Sequence, residues 1–358
     1  MDQDRILYRG EAFTLTGSRL NQDDFHWAQV EKDGRVRTMK NGRYSEWRIV
    51  PETEYGPRYR SGFEVLNKAY CLALNEAGAL LNEEGTFRTG ANWPSVWTRD
   101  IAYATHLGLG MWNVRACMKS LQARVRNGEV EQDTGTGGSW PISSDRVVWC
   151  IAAWEAYCLT GDGDWLLRAA RVLEKTCLKD EKVLTMTGGL MKGESSFLDW
   201  REQSYPAWMT SADIGDSSCL STMVLHAAAR KMLARMFREL GMEGKAREWD
   251  GKGAALSVVV EKFFRIPGND LYGQYLYGRG YPVLSEKVDS LGNMLCVLLG
   301  HAHGAHAARM VAALPHCVYG IPCFHPQMPE DVPPYHNRAT WPFLEGYYAQ
   351  AAAATGNE

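Results

Sequence analysis

The sequence predicts an all-α fold: a toroid of antiparallel helical hairpins with a small β-rich appendage at its N-terminus. Three observations carry this. From Tyr59 onward, apolar residues recur at helical spacing in one segment after another. The connections between segments alternate between short and long. The long ones, near 86–96, 128–142, 178–209, 266–284 and 315–336, are rich in Trp, Gly, Tyr and Pro and differ from one another. Two helices of a hairpin cannot bury both faces alone, so neighbouring hairpins must close on each other. A solenoid would have short, similar turns throughout. Long, dissimilar loops suit a ring with one functional face and a central cavity.

Residues 1–57 form the appendage and linker. Phe13–Thr16 and Trp27–Val30 alternate and are β-prone, with turns expected at Asn21–Asp24 and Asp33-Gly34. Residues 58–358 form the helical domain. Phe63, Leu66, Ala69 and Leu72 to Leu74 give a first stripe, and 96–107 and 111–125 follow, joined by a Gly108-Leu-Gly110 break. Ser143-Ser-Asp145 is expected as an N-cap, with Val147, Ile151, Trp154 and Cys158 behind it at helical spacing. That helix stops at Thr160–Gly163, and its partner runs from Asp164-Trp165 to about Cys177. Further helices are expected near 211–240, 243–264, 285–299, 303–314 and 337–354.

Composition excludes several classes. The 358 residues are 45% hydrophobic and 23% charged, with a net charge of −3 and a pI near 6.3. There is no basic excess to hold nucleic acid or an anionic membrane. No apolar run is long enough to cross a bilayer. Nine Cys without framework spacing read as reduced thiols, Cys117, Cys150, Cys158, Cys219 and Cys296 as small apolar residues on helices. Met1-Asp-Gln-Asp-Arg5 is not a signal peptide, so a cytoplasmic location is expected, or a periplasmic or secreted one if the N-terminus is internal to a longer chain. Nothing sets an oligomeric state. The excess is aromatic, 13 Trp and 16 Tyr. Such rings offer apolar faces with polar edges and suit either a core or a ligand cleft.

The loops carry the chemistry. Gly193-Glu-Ser-Ser-Phe-Leu-Asp-Trp-Arg-Glu202 holds Glu194, Asp199 and Glu202 within ten residues. Asp199 lies between Phe197-Leu198 and Trp200, an apolar collar that raises a carboxyl pKa and suits a general acid. Arg201 supplies a counter-charge. The same pattern also fits a surface loop with a helix-capping acid. Trp93-Pro-Ser-Val-Trp97-Thr-Arg99-Asp100 sets two Trp beside an Arg-Asp pair that either caps a helix or binds sugar hydroxyls. Gln132 to Trp140 is glycine-rich but lacks the Lys-Ser/Thr ending of a phosphate loop. Asp145-Arg146 repeats the Arg/Asp theme, and Tyr275 and Tyr277 alternate with apolar neighbours. Tyr335-His336-Asn337-Arg338 runs into Trp341-Pro342. Together these suit a neutral polyhydroxyl ligand. His301, His303 and His306 match no strong ligand spacing, so no metal and no cofactor are expected.

These motifs, in this order, resemble the six-hairpin, (α/α)6-toroid glycosidases over roughly residues 59–358. The glycogen-debranching-like branch, grouped with glucoamylase, trehalase and processing α-glucosidase, is the most similar. The resemblance implies hydrolysis of an O-glycosidic bond of an oligo- or polysaccharide, mostly with inversion. It implies Asp199 as acid and a sugar subsite of Arg99 and Asp100, lined by Trp93, Trp97, Trp140, Asp145, Trp200, Arg201, Glu202, Tyr277, His336, Asn337 and Trp341. The base of such enzymes is a late Glu, for which Glu345, or failing it Glu194 or Glu202, is available. About ten helical segments are countable, short of six full hairpins, so the expectation includes a toroid incomplete at its C-terminus, with its base beyond Glu358. Rival readings are a non-catalytic sugar-binding toroid, or an epimerase, lyase or phosphorylase on the same frame. An epimerase would bring His106, His226 or His336 together.

Overall fold

The computed structural model describes residues 5–31, 33–49, 57–133, 140–199, 201–278, 281–329, 331–332 and 334–357, the side chain of Glu202 excepted. Trp200 lies outside them. The chain divides into two compact units, 1–94 with 111–113, and 95–110 with 114–358.

The first unit is a six-stranded antiparallel meander with one helix. Its strands are β1 (Ile6–Arg9), β2 (Thr14–Thr16), β3 (Arg19–Asp23), β4 (His26–Val30), β5 (Arg35–Lys40) and β6 (Arg43–Arg48). Val30, Val36, Ile49 and Cys71 form its core, with Val65 of helix α1 (Glu64–Leu80) packed against them. The turn expected at Asn21–Asp24 begins later. Asn21 to Asp23 stay extended, and the Asp23 carboxylate accepts the Phe25 N–H at 2.7 Å.

The second unit is an all-α toroid. Helices α2 (Thr98–Ala104), α4 (Trp149–Thr160), α8 (Leu220–Glu239), α10 (Ser290–Leu298) and α12 (Pro342–Thr355) touch in succession. Between α2 and α4 runs α3 (Gly110–Ala123). The helices α5 (Gly163–Leu184), α9 (Glu243–Phe264) and α11 (Gly304–Ala313) each follow a ring helix as its hairpin partner. Two short helices, α6 (Arg201–Ser204) and α7 (Ser211–Gly215), sit in the loop before α8.

The patterns follow from burial. Most of α8 is buried, whereas α9 buries only Ala246, Trp249, Gly253, Val260 and Phe264, one amphipathic stripe. Gly253 allows close approach, since a Cβ there would meet Lys231 N at 3.2 Å and Ala227 O at 3.3 Å. The α4–α5 turn is as expected: Gly161 ends α4 at φ +63° and Asp162 accepts the Trp165 N–H at 2.9 Å. The ring closes where α12 meets a π-helical turn, Thr105–Leu109, that continues α2. Tyr347 packs edge-on against Tyr103, centroids 5.5 Å apart, and its hydroxyl lies 3.1 Å from His106 Nδ1.

Several boundaries differ from the sequence reading, and α5 runs on to Leu184 rather than ending near Cys177. Residues 211–240 are not one helix, because Ser218–Cys219 is extended and pairs with Leu276 and Tyr275. Helix α10 starts at Ser290, capped by Asp289, and α12 starts at Pro342 in its first turn. Ser143 and Ser144 do not cap α4. A 3-10 turn, Asp145–Val148, intervenes, and both hydroxyls hold the 192–194 segment instead.

Candidate active site

The first turn of α2 leaves backbone N–H groups without helical partners. Asp133, from the following loop, accepts those of Thr98 and Arg99 at 2.6 and 2.8 Å. This imported cap fixes the direction of Arg99. Its Nε donates to Asp145 at 3.1 Å and its Nη1 to Asp199 at 3.0 Å, both pairs buried. Asp145 also accepts Gln132 Nε2 at 2.7 Å and Ser196 Oγ at 2.8 Å, and Tyr103 Oη lies 2.8 Å from Ser196 Oγ. One guanidinium therefore organises two carboxylates from loops far apart in sequence. Burial opposes its charge, but Asp145, Asp199 and Asp133 outweigh it and hold its pKa well above the usual arginine value.

The remaining carboxyls divide by environment. Burial raises the pKa of Asp199 despite Arg99. Burial pushes Glu194 up to about 8, against opposing contributions from Ser143, which donates to it, and Arg201, 3.9 Å away. Asp100, in the first turn of α2, is exposed. Desolvation lifts it to about 7, with Arg99 opposing and Asp133 and Asp199 adding to the rise. His336 is neutral, its pKa lowered to about 3 by burial and the Arg99 charge.

The loop bearing Asp199 is pinned residue by residue. Ser144 Oγ donates to Lys192 O, Gly193 N to Ser217 O and Glu194 N to Ile142 O. Thr222 Oγ1 donates to Glu194 O, Ser195 N to Tyr205 Oη and Ser196 N to Ser221 Oγ. Gly193 has φ +138°, and a Cβ there would overlap Ser144 Oγ. Gly193→Ala is therefore expected to destabilise the fold by about 2–4 kcal/mol, read as a lower denaturant midpoint. A change within experimental error would show that the loop has room to shift.

Asp199, Arg99, Asp145 and Asp100 come together, as do His336 and Trp341, whose rings lie 4.7 and 4.9 Å from that of Phe197. Trp97 is half-buried at the start of α2, and Trp93 is exposed in the first unit. Trp140 donates its indole N–H to Asp180 at 3.0 Å, and Arg146 and Lys179 lie over its ring at 4.8 and 4.9 Å. Tyr277 packs on Trp208 at 5.5 Å, and Asn337 is spent on Met328 N at 2.9 Å. Glu345 accepts Ile321 N at 2.8 Å. Glu202 lies in α6, with its side chain outside the described residues.

His106, His226 and His336 each have a separate partner: Tyr347, Ser144 O and Ser204. His301 and His306 pack on Tyr272. Sequence reasoning missed Asp133, Gln132 and Ser196 as site-builders, and read Phe197 only as part of the collar of Asp199. Asp133 caps a helix 34 positions away, which no local pattern shows.

The raised carboxyls and depressed histidines work in opposite directions. Glu194 titrates near 8 in the fold against 4.5 for a free group, so it holds a proton the unfolded chain has released. Its contribution is present at low pH and lost as pH rises through 8. His336 does the reverse, costing stability as pH falls from 6.5 toward 3. Above 6.5 only the carboxyl effect remains. Thermal stability is expected to fall more steeply from pH 6.5 to 8.5 in the wild type than in Glu194→Gln. Parallel curves would show that Glu194 is ionised throughout.

No family model and no curated protein matches the chain. Among solved structures it is similar to a GH78 family rhamnosidase of Bacillus sp. GL1, with TM-score 0.57, 13% identity, and 88% of this chain against 31% of that one covered. A sialidase gives 0.59 and 13%, covering 85% and 28%. A bacterial glucoamylase complexed with acarbose gives 0.54 and 15%, covering 81% and 48%. The likeness is one of fold, the all-α toroid. The chain spans under a third of the length of the rhamnosidase and the sialidase, and about half that of the glucoamylase.

Proposed function

We propose that the helical unit is the catalytic domain of a glycoside hydrolase acting on an O-glycosidic bond to a neutral sugar. The observation that carries this is the Arg99 node, which holds a desolvated Asp199 beside the water-accessible Asp100. Asp199, its pKa raised by burial, gives its proton to the leaving oxygen as the C–O bond breaks. Water attacks the anomeric carbon, and a second carboxylate takes its proton, with inversion. Arg99 faces the sugar hydroxyls, and the half-buried Trp341 ring offers an apolar face.

The second carboxylate has three candidates among the described residues. Glu345 would give up Ile321 N, and Glu194 would give up Ser143. Asp100 accepts only from its own backbone among the described residues, so it is placed first. The arginines placed in this network, Arg99, Arg146 and Arg201, each face a carboxylate. An acidic sugar or a phosphorolytic anion would need an unneutralised cation, so those readings rank lower.

The test is a panel of 4-nitrophenyl glycosides of neutral and acidic sugars with matching oligosaccharides, the product anomer being followed by NMR. Hydrolysis of a neutral glycoside is expected. Absence of both cleavage and binding across the panel refutes the reading.

A further inference from the structure

We propose that Phe197 is a positioning residue that turns the Asp199 carboxylate onto Arg99, acting through its backbone conformation and its ring together. The proposal rests on reading Asp199 as the acid. Three observations meet at this residue.

The first is the backbone. Phe197 has φ +74°, the left-handed region that bulky side chains rarely occupy. The second is the chain reversal that follows it. Asp199 N donates back to Phe197 O at 2.9 Å. Ser196 Oγ donates to the same Asp145 oxygen that accepts Arg99 Nε, and Asp199 accepts Arg99 Nη1. Residues three apart thus converge on the Arg99–Asp145 pair, whereas three extended residues would separate them by roughly 10 Å. The third is the clamp. The Phe197 ring lies 4.7 Å from His336, 4.9 Å from Trp341 and 4.6 Å from Phe343, edge-on to the last two at 79° and 80°. Leu198 beside it is wholly buried.

A strained residue persists only where its surroundings over-determine it. Here hydrogen bonds pin every residue from Lys192 to Ser196, and three rings hold the next side chain. If φ alone mattered, glycine would serve without strain. The ring contacts say that the aromatic side chain is part of the device.

The experiment compares wild type with Phe197→Gly, Phe197→Leu and Phe197→Tyr. It uses whichever 4-nitrophenyl glycoside the wild type cleaves, and titrates Asp199 by carboxyl ¹³C NMR, assigned with Asp199→Asn. Phe197→Gly is expected to lower kcat by roughly ten- to a hundredfold with KM within about threefold. The alkaline limb of its pH profile should move to lower pH as Asp199 reaches water. Phe197→Tyr should restore both, and Phe197→Leu, which keeps apolar bulk, carries the test if the glycine variant does not fold. An Asp199 titration unchanged in the Gly or Leu variant, with only a lower melting temperature, overturns the proposal whatever the activity. A shifted titration in a chain that cleaves nothing on the panel upholds the positioning role and refutes the hydrolase reading instead.

Discussion

Asp199→Asn is expected to reduce turnover of a natural oligosaccharide by about 10²–10⁴-fold, while leaving sugar binding near its wild-type level. The amide oxygen can still accept from Arg99, so the loop keeps its path. What is lost is the proton. The loss should therefore depend on the leaving group. A 2,4-dinitrophenyl glycoside departs with little protonation and should lose far less than a sugar alcohol. That graded response separates an acid from a residue that merely shapes the cleft, which would slow all substrates alike. A rate unchanged on the natural linkage removes Asp199 from the mechanism.

Arg99→Met is expected to cost the fold about 3–5 kcal/mol, because it strands buried carboxylates rather than deleting a pair. For a unit of this size the melting temperature should drop by roughly 6–20 °C. Asp145 and Asp199 would lose their shared partner, and Asp100 its main opposing charge. The sign of the pH effect follows. Without the cation Asp199 and Asp100 take up protons more readily, and protonation relieves their repulsion. The deficit relative to wild type should shrink as pH falls from 7.5 to 5. Arg99→Lys should recover only part of it, since an ammonium cannot reproduce the fork that reaches Asp145 and Asp199 at once. Denaturant melts at both pH values decide it, and a loss below about 1 kcal/mol would show that water already shares the load.

The hairpin frame was legible because its cues are local. Apolar stripes, the Gly161 stop and the Asp162 cap all lie within a few residues of what they determine. The Asp199 loop and the Arg99-Asp100 pair could be singled out for the same reason, since collar and charge adjoin in sequence. What could not be read was who holds whom. Arg99 meets Asp199 across 100 positions, and Ser143 and Ser144 look like a helix cap yet serve a loop about fifty positions on. The long-range partner won over the local one because a buried polar group must be satisfied wherever its partner comes from. Trp140 shows the same limit from the other side. A Trp beside Gly and Pro suggests a stacking platform, but its indole N–H and ring are engaged by Asp180, Arg146 and Lys179.

The seam between Tyr347 and the Tyr103–His106 turn joins residues up to 241 positions apart. During synthesis, α2 leaves the ribosome long before α12 exists, and at 5–20 residues per second the wait is roughly 12–50 seconds. For that time the inner face of α2 lacks its final partner. Folding of the ring should therefore wait on α12, and chains halted before α12 should be held by chaperones or lost to proteolysis even though every residue of the Arg99 node has already been made.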